Sequence, residues 1–384
     1  MKNLRVDITP LAFNKTAVYF LIRDALRFLV SKKFPISLHS LGCPLDLAEI
    51  LDLDFDLSEG TRQDINSMLK NFLEMEDQRE VKGVKGASRE TVSLVFDPLY
   101  IGPEIESRMV LAFAHDLTPI TRPDWHRQEV SKAYRRAFYL FYRKNVEILA
   151  VSQSTARDIW ANFGIPRKRI RVLPLYDRFS PNQNSERHPE KRVLFVGSLE
   201  ARKNVSGLME AFERSGLFRQ GFTLQVVGGD GHGGEEVRER AGKIEGVFMR
   251  GRLSDKELDE EYYRCAFLAY PSFWEGFGLP ALEALVRRIP LVLSRSGALP
   301  EVGGDFAVYV DPCDVRSIEQ GLIEASQVYL DWSRDSVRAN KVAEWTRVFY
   351  KDRFFETLSS YLELAGVRSA INEGAGMTDS GSGR

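Results

Sequence analysis

One strand-turn-helix segment constrains the fold of this chain more than any other. It runs from Tyr270 to Glu283 and reads YPSFWEGFGLPALE. The apolar run that ends at Tyr270 predicts a buried parallel strand, and the residues from Leu279 onward predict a helix. Gly276 and Gly278 occupy the turn, where glycine lets the backbone approach a ligand closely. The free N–H groups at the start of the helix therefore favour a phosphate just beyond the strand.

Two glutamates flank this turn, and both are candidate ligand-binding residues. Glu275 in the turn can accept hydrogen bonds from sugar hydroxyls, and Glu283, one turn inside the helix, can bind a ribose diol. Their spacing matches the E-x7-E signature of retaining glycosyltransferases. With its aromatic and proline flanks, the segment closely resembles family four of those enzymes, the glycosyl transferases group 1. The alternative is a pair of glutamates that only cap and solvate an ordinary helix.

The resemblance extends over nearly all of residues 109 to 365 and implies a fold. In this family two Rossmann-like, doubly wound α/β domains face each other across a cleft, an arrangement called GT-B. Strand and helix patterns alternate along the chain, which independently predicts parallel sheets.

A second glycine turn precedes another predicted helix and carries two cations. It reads GSLEARKN from Gly197 to Asn204 and is similar to a bacterial mannosyltransferase-like subset that reads G-[ST]-L-E-P-R-K-N. Cations at this position would oppose the charge that grows on a departing diphosphate. The resemblance assigns that role to Lys203. Ser198 stands where many relatives have arginine, and Arg202 is the candidate that replaces the missing charge.

The resemblance also implies the remaining members of the site. The run from Met109 to Ala114 predicts a strand that ends at His115, and in the family this histidine lies beside the reacting sugar. The catalytic candidates are His115, Lys203 and Glu275. The donor-binding candidates are Gly197, Ser198, Arg202, Lys203, Gly228, Gly229, Arg252, Leu253, Gly276, Phe277, Gly278, Leu279 and Glu283. No residue is assigned to a metal, and no cofactor is expected, because the nucleoside diphosphate sugar is the donor substrate.

The length of 384 residues suggests two domains. We expect an acceptor-binding Rossmann-like domain over residues 1–176 and a nucleotide-sugar-binding Rossmann-like domain over 192–344. Residues 177–191 are dense in Pro, Asn, Ser and charge, which is typical of a linker. Residues 345–366 are predicted to form a helix, which in relatives crosses back to the first domain. The composition of residues 367–384 predicts a disordered tail.

Composition excludes several classes of protein. The net charge is −1, with 53 basic and 54 acidic residues, so nucleic acid is not expected as a partner. Three cysteines far apart in the sequence fit free thiols in a reducing compartment. No apolar run approaches the ~20 residues of a membrane span. We therefore expect a cytoplasmic protein that contacts the inner face of the membrane at most peripherally, through a basic aromatic helix over Ser131 to Lys144.

Three alternatives stay open on the residues alone. Gly229 to Gly234 fits G-x-G-x-x-G, which would suit an NADP-linked oxidoreductase; the next strand ends in Arg250-Gly251, without the acidic residue that binds an NAD ribose. Asp52, Asp54 and Asp56 have the D-x-D spacing that binds manganese in another glycosyltransferase fold. The turn at Asn14 to Tyr19 lacks the glycines that many relatives have there. A catalytically inactive, glycosyltransferase-like binding protein therefore stays open.

The pattern as a whole predicts an enzyme of the hexosyltransferase type. The resemblance implies metal-independent, retaining transfer of a hexose from a nucleoside diphosphate sugar to a growing surface glycan or a lipid-linked glycan. The mannosyltransferase-like subset favours mannose from GDP-mannose.

Overall fold

The computed structural model describes residues 3–12, 16–41, 43–45, 57–74, 91–101, 107–144, 146–179, 187–231 and 234–369. The chain divides into two compact units. The first unit comprises residues 1–151, 155–173 and 352–384, and the second comprises residues 152–154 and 174–351.

The first unit is built on a seven-stranded sheet, as far as the described residues extend. The strand order is β3-β2-β1-β4-β5-β6-β7. Only the pairing of β2 with β3 is antiparallel among these strands. The strands are β1 Leu4–Asp7, β2 Ile36–Ser40, β3 Cys43–Leu45, β4 Val92–Val95, β5 Met109–Ala114, β6 Val146–Ala150 and β7 Ile170–Val172.

The second unit is built on a six-stranded sheet, again within the described residues, and its paired strands are parallel. The order β10-β9-β8-β11-β12-β13 is that of a doubly wound Rossmann-type sheet. The strands are β8 Arg192–Val196, β9 Thr223–Val227, β10 Val247–Gly251, β11 Phe267–Tyr270, β12 Leu291–Ser294 and β13 Ala307–Val310.

Helices connect most of the parallel strands, as crossovers between parallel strands require. In chain order they are α1 Ala17–Ser31, α2 Glu59–Glu74, α3 Thr118–Thr121, α4 Gln128–Arg143, α5 Gln153–Phe163, α6 Val205–Ser215, α7 Gly234–Ala241, α8 Asp255–Arg264, α9 Leu279–Val286, α10 Leu299–Gly303, α11 Val315–Arg334, α12 Ser336–Thr346 and α13 Lys351–Leu364.

The predicted doubly wound α/β architecture is confirmed in each unit. The apolar runs of the central strands are buried on both faces, as the burial of Leu111, Ala112 and Phe113 in β5 shows. Three aromatic residues of helix α4 pack in the core of the first unit: Tyr134, Phe138 and Phe141.

The predicted single helix over residues 345–366 is wrong. Helix α12 ends at Thr346, a 3-10 turn follows, and Tyr350 is extended at φ −75° and ψ 140° before α13 begins. The aromatic residues on the two sides of this break pack in different units. Phe349 packs against Phe277 with ring centroids 5.8 Å apart in the second unit. Phe355 stacks on Phe28 at 5.0 Å in the first. The chain changes units after Lys351, so one amphipathic face cannot run through the whole segment.

Candidate active site

The switch point of the second sheet brings the two predicted loops together. Strands β8 and β11 are neighbours in the sheet, and their connections run to opposite sides. Ligands of open α/β sheets bind at such a point, beyond the carboxyl ends of the strands. The backbone N–H of Phe273, in the loop after β11, donates to the carbonyl of Arg202, in the loop after β8, at 2.8 Å. The two loops therefore form one surface.

Lys203 and Glu275 form a buried ion pair at the centre of this surface. Lys203 Nζ donates to Glu275 Oε1 at 2.6 Å and to the hydroxyl of Tyr270 at 2.5 Å. Only 6% of Lys203 and 5% of Glu275 is exposed. The next residue, Asn204, has φ 55° and donates from its amide to the carbonyls of Pro271 and Pro312. This bend turns Lys203 inward.

Arg202 extends the pair into a cluster of two cations and two carboxylates. Its Nη1 donates to Glu275 Oε2 at 3.2 Å, and its Nε donates to Glu200 Oε2 at 2.9 Å. The hydroxyl of Ser198 donates to the other oxygen of Glu200 at 2.6 Å. Ser198 thus contacts the cluster through Glu200. Without a ligand, the formal charges of the cluster cancel.

The cations keep Glu275 ionised despite its burial. Burial raises the pKa of the Glu275 carboxyl, but the charges of Lys203 and Arg202 outweigh this effect and lower the pKa to about 2. Burial, followed by repulsion from Arg202, lowers the pKa of Lys203, against the attraction of Glu275. An anion that bound here would therefore compete with Glu275 for N–H donors that are already positioned.

Helix α9 begins beside this cluster with the predicted glycine turn. Gly278 has φ +93°, which favours glycine, and it caps the helix ahead of Leu279. Pro280 follows in the first turn, where its missing N–H removes no helical hydrogen bond. Phe277 is buried in this turn, and the carbonyl of Glu275 accepts from the N–H of Ala298 at 2.9 Å.

Four more of the predicted donor-binding residues lie together. Gly228, after β9, has φ +150°, and a Cβ there would lie 1.8 Å from the carbonyl oxygen of Gly197. Only glycine therefore allows the turns after β8 and β9 to pack this closely. A Cβ on Gly229 would lie 2.5 Å from Nε of Arg252. Arg252 is exposed, and the neighbouring Leu253 is half-buried.

Glu283 is buried in a second network. Its Oε1 accepts from Arg178 Nε at 2.8 Å, and its Oε2 accepts from the hydroxyl of Tyr262 at 2.7 Å. Arg178 also pairs with Asp255 at 3.1 Å. A carboxylate offers about four lone-pair sites, so the two bonds leave acceptor capacity on Glu283. Sequence reasoning missed Arg178, because its linker-like surroundings carry no signal for a partner 105 residues away.

Asp177 lies in the same network. It is 3.7 Å from Arg287 Nη1, while Arg287 pairs more closely with Asp259 at 2.6 Å. Burial raises the pKa of Asp177 to about 7, although the charge of Arg287 opposes this. One oxygen, Oδ2, is buried without a hydrogen-bond partner among the described residues.

In the first unit, the structure places His115 directly after β5. Its Nε2 lies 2.8 Å from the carbonyl oxygen of Phe96. Asp116 accepts from the N–H of Thr118 at 2.9 Å, at the start of α3. Asp97, the second residue after β4, was missed by the sequence analysis. Burial raises the pKa of Asp97, while the charge of His115 acts to lower it.

Several sequence predictions concern residues outside the described part of the chain. They are the first residues of the turn at Asn14, the D-x-D residues Asp52, Asp54 and Asp56, residues 232 and 233 of the glycine-rich loop, the centre of the predicted linker, and residues 370–384 of the C-terminal tail. Among the described residues, no three His, Cys, Asp or Glu side chains are grouped so that they could hold a metal ion. In that same part of the chain, no helix combines the length and apolar character needed to cross a membrane.

The fold and the cationic switch point define a GT-B protein, and comparisons with known proteins agree. Anabaena HepE, solved in complex with UDP and glucose, has a TM-score of 0.67 at 15% identity over 94% of this chain and 99% of its own. This likeness shows the fold.

Two family models match the sequence itself. Glycosyltransferase Family 4 matches residues 105–175, and Glycosyl transferases group 1 matches residues 177–334. Together the matches cover more than half of the chain, which therefore belongs to the group 1 glycosyl transferases of family 4.

The curated relatives include bacterial mannosyltransferases. O-antigen chain mannosyltransferase B of Escherichia coli is 27% identical over 285 residues, which are 69% of this chain and 74% of that protein. MMP alpha-(1->4)-mannosyltransferase of Mycolicibacterium hassiacum is 34% identical over 182 residues, 46% of this chain and 44% of its own.

The pKa of Asp177 predicts a pH dependence of stability. Its folded-state value of about 7 lies above the ordinary 3.8, so its contribution to stability is complete below about pH 4 and is lost as the pH rises through 7. Asp177→Asn should remove this loss. The free energy of unfolding of the variant, minus that of the wild type, should rise by about 4 kcal/mol between pH 4 and pH 8. Urea unfolding at several pH values measures it.

Glu275→Gln provides a control of opposite sign. Its pKa is depressed from 4.5 to about 2, so the wild type should lose the stability contributed by Glu275 only as the pH falls from about 4.5 towards 2. If the difference in the free energy of unfolding between Asp177→Asn and the wild type stays constant from pH 4 to pH 8, the raised pKa assigned to Asp177 is contradicted.

Proposed function

We propose that the protein is a retaining hexosyltransferase that transfers mannose from GDP-mannose to a growing surface glycan or a lipid-linked oligosaccharide. The observation that carries this proposal is the cluster of Lys203, Arg202 and Glu275 at the switch point of the second unit. It offers two fixed cations to a diphosphate and a carboxylate to sugar hydroxyls. The mannosyltransferase names of the two relatives support the choice of sugar.

In the proposed mechanism, the diphosphate of the donor replaces Glu275 as the partner of Lys203 and Arg202. The two cations stabilise the negative charge that grows on the diphosphate as the bond to the sugar breaks. The released Glu275 carboxylate accepts hydrogen bonds from hydroxyls of the sugar. The start of helix α9 adds N–H groups towards the phosphates, so no metal ion is needed in this proposal.

The remaining steps concern the sugar, the ribose and the proton. His115 contacts the transferred sugar, and Glu283 uses its remaining lone pairs to accept from the ribose diol. The acceptor hydroxyl attacks the anomeric carbon on the face that the diphosphate leaves. Its proton passes to an oxygen of the departing phosphate, so the configuration at the anomeric carbon is retained.

A donor panel tests the function directly. UDP-, GDP-, dTDP- and ADP-sugars are each added with excess EDTA, and thermal shift and slow donor hydrolysis are measured. GDP-mannose should give the largest shift and the fastest hydrolysis, and NMR of the newly released sugar, before mutarotation, should show the anomeric configuration of the donor. Hydrolysis only in the presence of manganese rejects the metal-independent mechanism. A fluorescence change with NADPH and none of these responses supports the oxidoreductase, and nucleotide binding without turnover supports an inactive homologue.

The two glutamates should differ in their kinetic defects. Glu275→Gln should lower kcat by about 10²-fold, because Glu275 acts on the sugar as charge develops. It should bind GDP as tightly as the wild type or a few-fold more tightly, since Glu275 no longer competes for Lys203. Glu283→Gln should raise the donor KM and weaken GDP binding by about 10-fold, close to 1.4 kcal/mol, because the ribose is held equally in the ground and transition states.

Glu261→Gln is the matched control for this comparison. Glu261 is another buried carboxylate of the second unit; it pairs with Arg250 at 3.0 Å and with Arg192 at the opposite end of β8 from Gly197. GDP affinity and kcat of this variant should match the wild type. Equal losses of GDP affinity in Glu275→Gln and Glu283→Gln, measured by calorimetry, contradict the assignment of sugar to one residue and ribose to the other.

We also propose peripheral contact with an anionic membrane surface on the cytoplasmic side, through the outer face of α4. Tyr139 and Tyr142 on this face are 55% and 56% exposed. The guanidinium of Arg143 lies over the Tyr139 ring and donates to its hydroxyl at 2.8 Å. Exposed aromatic rings among basic residues are typical of helices that lie at an anionic lipid interface.

Co-sedimentation with lipid vesicles tests this contact. The protein should pellet with vesicles rich in phosphatidylglycerol and stay in the supernatant with phosphatidylcholine alone. The double variant Tyr139→Ser and Tyr142→Ser should lose several-fold in the bound fraction while it keeps its donor hydrolysis rate. Equal sedimentation with both lipids contradicts the proposal.

A further inference from the structure

The turn after β4 is held by one carboxylate oxygen. Asp97 caps the 3-10 turn Pro98–Tyr100, and its Oδ1 accepts from the N–H of Leu99 at 2.9 Å. The same oxygen accepts from the hydroxyl of Tyr134 at 2.9 Å. Tyr134 is 7% exposed and comes from α4, which is packed in the core of the first unit. The turn is therefore fixed to a rigid helix as well as to its own backbone.

This turn presents the carbonyl that holds His115. The Phe96 carbonyl, one residue before Asp97, lies 2.8 Å from Nε2 of His115. The rings of Phe96 and Phe113 stack at 5.3 Å with an interplanar angle of 8°. The His115 ring lies 6.4 Å from that of Phe113 with an angle of 12°. The imidazole is thus constrained by a hydrogen bond at one edge and by parallel rings.

The hydrogen bond determines the tautomer of the imidazole. A carbonyl oxygen can only accept, so Nε2 of His115 carries the proton. In a neutral imidazole the lone pair is then on Nδ1. If the Phe96 carbonyl were displaced, the imidazole would no longer favour the Nε2–H tautomer. In the other tautomer Nδ1 carries the proton, so Nδ1 would donate a hydrogen bond where it now accepts one.

We propose that Asp97 and Tyr134 are positioning residues for His115. They fix the turn after β4, so that the Phe96 carbonyl keeps His115 in the Nε2–H tautomer and leaves Nδ1 to accept a hydrogen bond from a hydroxyl of the transferred sugar. The last part of this inference rests on the proposed function of His115. The assignment of the tautomer does not rest on the proposed function, because it follows from contacts within the first unit.

Two readouts on matched variants test the proposal. The first is NMR of the ring nitrogens with 15N-histidine, at a pH where the imidazole is neutral; His115→Gln identifies the signals of His115 among the five histidines. The second is the turnover of the donor. Asp97→Ala removes the acceptor, and Tyr134→Phe removes one donor. Asp97→Asn keeps an oxygen that can accept both bonds. Tyr350→Phe alters an exposed tyrosine of the second unit.

We expect the Nε2–H tautomer in the wild type, in Asp97→Asn and in Tyr350→Phe, and a mixture of tautomers in Asp97→Ala and Tyr134→Phe. Turnover in Asp97→Ala should fall by about 10- to 100-fold with an unchanged donor KM, the range for a misplaced group in a reacting site. Asp97→Asn should restore most of it. If Asp97→Ala does not fold, Tyr134→Phe is compared with its control Tyr350→Phe instead.

The outcomes separate the proposal from the function on which it rests. A mixture of tautomers in the wild type, or wild-type tautomer and turnover in both Asp97→Ala and Tyr134→Phe, overturns the positioning role. An Asp97→Asn variant as impaired as Asp97→Ala also overturns it, because the charge and not the turn would then matter. A protein without transferase activity leaves the NMR test intact, since the tautomer shift needs no substrate.

Discussion

The buried carboxylate of Glu275 is the interaction on which the site of the second unit depends. It joins the loops after β8 and β11 by accepting from Lys203 and Arg202, at 2.6 and 3.2 Å. A buried ion pair is weak evidence for stability, because the loss of water around both charges offsets much of their attraction. The pair is better explained by preorganisation. It holds two cations at fixed positions before a ligand arrives, so they need not reorganise when charge develops on a departing phosphate.

The same pair explains how one cluster can serve two parts of a donor. With no anion present, Glu275 and Glu200 together balance the two cations, and Glu275 is kept ionised, with its pKa lowered to about 2. A diphosphate carries more negative charge than one carboxylate and can replace it at Lys203 and Arg202. The buried Glu275 carboxylate is then still charged, and it can accept hydrogen bonds from neutral hydroxyls. In the proposed function, the diphosphate replaces Glu275 as the partner of Lys203 and Arg202. The same exchange frees Glu275 to accept hydrogen bonds from the sugar.

Sequence predicts most of the fold because its signals are local. The apolar run from Met109 to Ala114 predicts the observed bounds of β5, and the two glycine turns mark the loops that meet at the switch point. Partners far apart in sequence have no such signal. Tyr134 and Asp97 are 37 residues apart, and a tyrosine on the apolar face of a helix predicts only core packing. The break at Tyr350 was missed for a related reason, because a run of aromatic residues has the same periodicity whether its two ends pack in one unit or in two.

The network around Glu283 connects Asp177 and Arg178 to helix α9, which begins beside Glu275. Arg178 and Asp177 follow the first half of the chain, and they contact Glu283 and Arg287 at two successive turns at the end of α9. The N-terminus of the same helix begins at Gly278, beside Glu275. Four carboxylates and two guanidinium groups are close together here, and the excess of negative charge agrees with a pKa near 7 at Asp177, where burial is the main cause. Asp177 and Arg178 therefore contact the C-terminal half of the same eight-residue helix whose first turn begins beside Glu275. The ion pairs of Glu283 and Arg287 thus fix one end of this helix, and the loop that holds Glu275 lies at its other end.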